Sequence, residues 1–394
     1  MNYERFLNPA AVAVPPSGIR RFFDLASTMK DTISLGVGEP DFKTPYHIRN
    51  AAVNSLIDGE TQYTPNRGLL SLRQEISLYL RDRYSLVYDP DTEILVTIGA
   101  SEAIDVALRA MIVPGCEVLI PEPSYVSYAP CVTFAGGVPV PVVTRQESEF
   151  RLLPGQLEAA VTPRTRLLIL PYPNNPTGGI MERADLEAIA PIVEKHDLMV
   201  ISDEIYSELV YGGKEHVSFA AIPGMFPRTM TINGFSKAFA MTGWRVGYAC
   251  GPKELLSVMN KIHQYAIMCA PRPSQVAAAE ALRLGRESGY EDVIRMRESY
   301  DRRRRLMVDS FRSMGLDCFE PYGAFYVFPS VRPTGLSSEE FCSRLLREKG
   351  VAAIPGTAFG PCGEGNIRCC YATALDKLNI ALDRMAEFVK EFVS

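Results

Sequence analysis

The middle of this chain alternates short, wholly apolar runs with stretches of helical spacing, and that alternation limits the possible folds more than any other feature. EILVTIGAS (93–101) reads as a strand entering a turn of small residues, with the helical EAIDVALRAMIV after it. CEVLIPEP (116–123), RLLILPYPNNPTGG (166–179), LMVISD (198–203) and TMTING (229–234) repeat the strand pattern, and ADLEAIAPIVEKHD (184–197) supplies a helix between two of them. Strands that are apolar on both faces need cover on both faces, which crossover helices give to parallel sheets. The expected class is α/β with a mostly parallel central sheet, WRVGYAC (244–250) running back beside TMTING.

A chain of 394 residues exceeds one ordinary core, so two domains are expected. The texture changes near residue 285. ESGYEDVIRMRESYDRRRRLMVDSFRSMG (287–315) reads as one long amphipathic helix with Arg302 to Arg305 on a solvated face. AFYVF and VAAIP then alternate as strands with the helix SSEEFCSRLLREKG. This spacing predicts a large domain at 46–285 and a smaller α/β domain at 286–394, with the N-terminal segment 1–45 packed on the latter.

Charge and composition exclude several functions. With 41 basic against 46 acidic residues, the surface is not the basic one that nucleic acid requires. Nine cysteines without a CxxC pair fit a reduced chain in the cytoplasm, and the adjacent Cys369 and Cys370 read as small strand residues. The histidines at 47, 196, 216 and 263 never stand at ligand spacing, so no metal site is expected. The N-terminal apolar patch is too short for a signal h-region, and no run reaches the roughly 18 apolar residues of a membrane span.

The chemistry starts at Lys237, in GFSKAFAMTGWRVGY (234–248), a lone amine among small and apolar residues beside the only tryptophan, Trp244. Such an amine loses its proton near neutral pH if it is desolvated beside other cations. Lys237 follows one strand, Asp203 ends another and Asn175 lies in the turn after a third, where ligands of open α/β sheets bind. Pyridoxal 5′-phosphate asks for such a set. Asp203 would keep its pyridine nitrogen protonated, Asn175 and Tyr206 would meet its ring oxygen, and Tyr125 would stack on the ring. Gly99, Ala100 and Ser101 offer phosphate-binding amides at a helix start, with Arg245 as a cationic fork and Ser236 as a hydroxyl.

GFSKAFAMTGWRVG resembles the lysine signature of the class I pyridoxal-phosphate aminotransferases, of fold type I. PYPNNPTG, SDEIY, LGVGEPDF, YTPNRGLLSLR and NIRCCYA resemble that family's other blocks in the same order, and PPSGIRRFFDLA resembles its bacterial and archaeal aspartate/aromatic subgroup. The resemblance implies that Lys237 forms the internal aldimine and moves the proton between Cα and C4′. It implies that Tyr63 reaches a phosphate across a homodimer interface, so that two subunits share their active sites. It also implies that Gly38 and Arg368 hold the substrate α-carboxylate.

One departure stands out: many relatives carry serine three residues before the lysine, where this chain has Gly234, leaving Ser236 or Ser101 to compensate. The implied reaction is ping-pong transfer of an amino group from an L-amino acid to a 2-oxo acid, with 2-oxoglutarate and glutamate as one pair. A β-lyase or decarboxylase of the same fold, and a non-catalytic ligand-binding module, are the alternatives. Ile19, Tyr125 and Tyr322 are candidates for the side-chain pocket. Aromatic, aspartate-like and diaminopimelate-type donors all stay open.

Overall fold

The structure, a computed structural model, describes residues 1, 3–16, 18, 19 and 31–393. Its strands in chain order are β1 (Ile33–Ser34), β2 (Ile94–Thr97), β3 (Glu117–Glu122), β4 (Val138–Val143), β5 (Thr165–Leu170) and β6 (Met199–Asp203). They continue as β7 (Thr229–Gly234), β8 (Gly247–Cys250), β9 (Tyr326–Val327), β10 (Val351–Ala352), β11 (Ile354–Pro355) and β12 (Ile367–Cys370). Seven of them form one sheet in the order β2-β8-β7-β6-β5-β3-β4. From β4 to β7 every pairing is parallel, and β8 runs antiparallel to both β7 and β2. The α/β class and the returning strand are therefore as expected.

The sheet is apolar because it is covered. Every residue of β2, β7 and β8 is buried, and the helices Gly99–Met111 and Lys253–Ala266 press Ile104, Leu108, Leu256 and Met259 into one core with them. β4 is the exception, an exposed edge. Its VPVPVV pattern places Pro139 and Pro141 where an N–H would otherwise point outward, which removes two donors that could recruit another strand.

Beyond residue 290 a second core forms around a three-stranded antiparallel sheet, β11-β12-β9. β1 pairs in parallel with β10, and Leu35 is buried in the same cluster, so the 33–35 stretch rides on the C-terminal elements. Of PPSGIRRFFDLA, residues 17 and 20–26 lie outside the described residues.

Two expectations fail here. The 287–315 stretch is not one helix: Arg272–Ser288 ends, Gly289 and Tyr290 adopt φ of +66° and +61°, and Glu291–Ser313 begins. Glycine supplies the left-handed turn that closes the first helix, a signal the sequence reading passed over. Arg302 to Arg305 do not form a solvated face either. Arg303 is buried and donates to Asp41 at 2.8 Å and to the Thr373 carbonyl, while Arg304 is buried against Asp301 and Glu320. A run of four basic residues spans all sides of a helix, so part of it must face the core. Among the described residues, no helix is long and apolar enough to cross a membrane.

Candidate active site

The parallel strands end on one side of the sheet, and there the chain encloses a cavity of about 390 Å³. β2 leads through Ile98 into the helix Gly99–Met111. Glu102 in its first turn accepts from the Ile98 amide, and its other oxygen meets Nδ1 of the fully buried His263 at 2.6 Å. Gly99 turns the chain with φ +72°. A Cβ on it would stand 2.7 Å from the Arg245 guanidinium, and a Cβ on Gly247 would stand 2.6 Å from the Ala100 nitrogen. The two glycines thus let Arg245 lie against a helix start whose first amides have no partner within the helix, a ready cradle for an anion. Arg245 itself holds φ +52°, uncommon for a residue with a side chain, and its Nη1 donates to the Thr242 carbonyl.

β6 ends at Asp203, buried on the cavity floor. Tyr128 donates to Oδ2 at 2.7 Å and the Ile205 amide to Oδ1 at 3.3 Å. Burial lifts its pKa to about 6, against the lowering from the Tyr128 hydrogen bond. Lys237 follows β7, with its Nζ donating to the Gly38 carbonyl at 2.7 Å and the rings of Tyr206 and Phe325 beside it. Burial lowers its pKa to about 8; Arg368 and Arg245 push the same way, and Cys370 and Glu39 oppose them. Asn175, after β5, accepts from Arg368 Nη1 at 2.8 Å, and Arg368 Nη2 donates to the Gly36 carbonyl at 2.5 Å. Arg368 is itself buried in β12, beside the rings of Tyr326 and Phe359, and its Nε has no hydrogen-bond partner among the described residues.

The cavity brings together Lys237, Asp203, Asn175, Tyr206, Arg245 and Arg368. Ala100, Ser101, Tyr125, Ser236, Gly38 and Ile19 line it too, and Gly99 stands behind Ala100. Tyr63 is elsewhere, on a loop with its side chain 79% exposed. Tyr322 also lies outside: its ring sits against Gly212, Lys214 and Arg304, so it is no wall of this cavity. A turn at Ala324, whose φ is +57°, and Phe325 follows it, and Tyr326, not Tyr322, lines the cavity. Trp244 packs beside the lysine loop and bonds Thr44. The four histidines do not meet; each has its own carboxylate, Asp292, Glu158, Glu204 or Glu102.

Sequence reasoning missed two tyrosines. Tyr128 opens the helix Tyr128–Phe134, a turn after Tyr125, and the two rings meet edge-on at 5.7 Å; the repeated tyrosine of PSYVSY was the available signal. Tyr326 carries a hydroxyl 2.8 Å from that of Tyr206. Nothing in AFYVF marked it, because a buried aromatic strand residue looks like core.

The geometry has counterparts in known proteins. The family model for aminotransferase class I and II matches residues 30–385. The chain is 52% identical over 384 residues to a putative aminotransferase, YugH, of Bacillus subtilis, covering 98% of each chain. It is 48% identical to an aspartate aminotransferase of Pyrococcus abyssi, covering 96% of this chain and 97% of that one. The crystal structure of an aromatic aminotransferase from Pyrococcus horikoshii matches with a TM-score of 0.90 at 48% identity, over 95% of this chain and 99% of that chain. A desolvated amine, a buried carboxylate and an anion cradle around one cavity, in a chain so similar throughout, lead to one conclusion: the chain belongs to the class I and II aminotransferases, pyridoxal-phosphate enzymes that move an amino group between an amino acid and a keto acid.

Proposed function

We propose that Lys237 is both the anchor of the pyridoxal 5′-phosphate and the acid/base that moves the substrate α-proton, in a ping-pong exchange with glutamate and 2-oxoglutarate as one pair. The observation that carries this reading is the buried Lys237 amine, with a pKa lowered to about 8, in a cavity that also holds Arg245 and Arg368.

The residues fit the cofactor. Gly99 and Gly247 leave a cradle that a Cβ on either would fill, and Arg245 supplies its positive wall. Asp203 is an ionisable carboxylate, fully enclosed, on the cavity floor. When bound, the cofactor supplies the electron sink that lets a Cα–H bond ionise.

The chain's own groups do the rest. Arg245 with the Ala100 and Ser101 amides would hold the phosphate, Asp203 would keep the ring nitrogen protonated, and Asn175 and Tyr206 would hold the ring oxygen. Tyr326, through its hydroxyl bond, orients Tyr206. Arg368 takes the α-carboxylate, exchanging its Gly36 and Asn175 contacts for a bidentate pair. Its place beside Tyr326 and Phe359 keeps water from that pair. Lys237, released from the Gly38 carbonyl, accepts the α-proton as a neutral amine, and its pKa near the working pH suits both directions of transfer.

The cavity lies between a large unit, 46–285, and a smaller one, 286–394 with 1–45. We read the enzyme as a homodimer with Tyr63 reaching the phosphate of the neighbouring subunit. The outward rings of Tyr63 and Tyr265, 79% and 88% exposed, support a covering partner. Nine free cysteines support a reducing compartment, the cytoplasm. Initial rates at varied amino donor and 2-oxoglutarate test the exchange: parallel double-reciprocal lines without ammonia release are expected. Intersecting lines contradict the ping-pong order, and ammonia in step with turnover favours the lyase reading.

A further inference from the structure

Glu122, the last residue of β3, differs from the other acids set into the body of the fold. Glu117 on the same strand is held by Arg164 and Thr162, Glu208 by Arg83 and Tyr79, and Glu204 by His216, Ser202 and Ser218. The partly buried Glu122 carboxyl has no such cation or donor among the described residues, and burial pushes its pKa up. A carboxylate withdrawn from water without a partner costs free energy, and the missing donor is the observation to explain.

It lines a groove of about 1130 Å³ between the helix Tyr128–Phe134, the segment around Pro15 and the turn at Phe359–Gly360. The groove adjoins the catalytic cavity, because Ile19 and Tyr125 are walls of both. Its described lining is otherwise uncharged and largely apolar, with Val14, Ile120, Val126 and Phe134 among it, so Glu122 is its single charge. The carboxyl rests against Gly360, whose φ is +123°; a Cβ there would push Oε2 of Glu122 from its present place. The neighbouring Phe359 ring is 4.8 Å from the Arg368 guanidinium. The carboxylate therefore lies against Gly360, the residue that follows a wall of the site assigned to the substrate α-carboxylate.

We infer that Glu122 is a specificity determinant for a donor amino acid whose side chain is an aliphatic stem ending in a cation. With the α-carboxylate on Arg368, the stem crosses Ile19 and Tyr125 and its terminal ammonium meets Glu122. The apolar walls suit such a stem, and a charge-assisted hydrogen bond repays the stranded carboxylate. The inference rests on the assignment of Arg368 to the α-carboxylate and adds the substrate class to it.

The holoenzyme is assayed with 2-oxoglutarate and either L-lysine or L-norleucine, two straight-chain donors of which only L-lysine ends in an ammonium. The expected kcat/KM for L-lysine is about tenfold above that for L-norleucine. Glu122→Gln should remove most of that ratio, and Glu122→Lys should turn the preference to L-2-aminoadipate, whose side chain ends in a carboxylate. A wild-type preference for L-norleucine or L-phenylalanine over L-lysine overturns the inference, as does a ratio that Glu122→Gln leaves intact. Arg368→Gln separates the two readings, since it should lower kcat/KM for both donors alike. If Arg368→Gln spares both donors, the carboxylate assignment has failed and the subsite falls with it.

Discussion

The Lys237 amine donates to the carbonyl of Gly38, 2.7 Å away across 199 residues of sequence, and two residues before Gly38 the Gly36 carbonyl receives the Arg368 guanidinium. One short loop thus holds both the amine and the arginine of the proposed reaction. A side chain at Gly38 would run into the Tyr326 hydroxyl, so the loop can approach only as backbone.

The amine's environment sets a pH dependence. With a pKa of about 8 instead of the usual 10.5, Lys237 is protonated below that pH and an unprotonated nucleophile above it. Capture of added pyridoxal 5′-phosphate by the cofactor-free protein should accelerate about tenfold per pH unit below 8 and level off above it. Stopped-flow absorbance against pH measures this. A midpoint near 10 would mean that the amine is solvated and the cavity open.

Asp203 should trade stability for cofactor binding. Its folded pKa, about 6, is raised above the 3.8 of a free carboxylate, so the cofactor-free fold holds that proton more tightly than the unfolded chain does. The resulting stabilisation is full below about pH 4 and is lost as pH rises through 6. At neutral pH the buried anion is a net cost on the order of 3 kcal/mol. Cofactor-free Asp203→Asn should therefore melt a few degrees above wild type at pH 7.5 and alongside it near pH 4, while binding pyridoxal 5′-phosphate roughly a hundredfold more weakly. Calorimetry and fluorescence titration read the two effects. A melting temperature that falls at pH 7.5 would contradict the burial argument.

Gly234, where the family resemblance leads one to expect serine, leaves little room for a side chain. A Cβ there would stand 3.0 Å from the Gly247 Cα and 3.2 Å from Ile205 Cδ1. Gly234→Ser should cost about 1–3 kcal/mol in urea unfolding and should not tighten cofactor binding. Tighter binding would show that a phosphate hydroxyl is missing after all.

The His263 imidazole acts on the phosphate cradle at second hand. It holds Glu102, Glu102 holds the Ile98 amide, and Ile98 leads into the Gly99 turn. His263→Leu should weaken pyridoxal 5′-phosphate binding about tenfold while leaving pyridoxal, which lacks the phosphate, nearly unaffected. Equal losses for both would mean that the pair supports the fold generally and not the cradle.

The strands, their order of chemistry and the lysine were legible because apolar runs and small-residue turns are local signals. Asp203 ends its strand, and Lys237 and Asn175 sit shortly after theirs, so the topology of a parallel sheet carries them together without further information. The helix break at Gly289 was equally local and was passed over in favour of charge periodicity. What could not be read was set by packing between distant segments. Arg303 turns inward to Asp41, from which it is separated by 262 residues, and Tyr326 faces the cavity while Tyr322 faces Arg304. Tyr125 and Tyr128 both border the site, but only the structure shows that Tyr128 is the one bonded to Asp203. Glu122 gave no sign at all, since an acid becomes notable only when its partners are seen to be absent.

The most direct test of the account is to load the protein with pyridoxal 5′-phosphate, reduce it with borohydride and locate the modified lysine by peptide mass mapping. The added mass is expected on Lys237, with no visible absorption band from bound cofactor in Lys237→Ala. A label on another lysine, or a full band in Lys237→Ala, would contradict it.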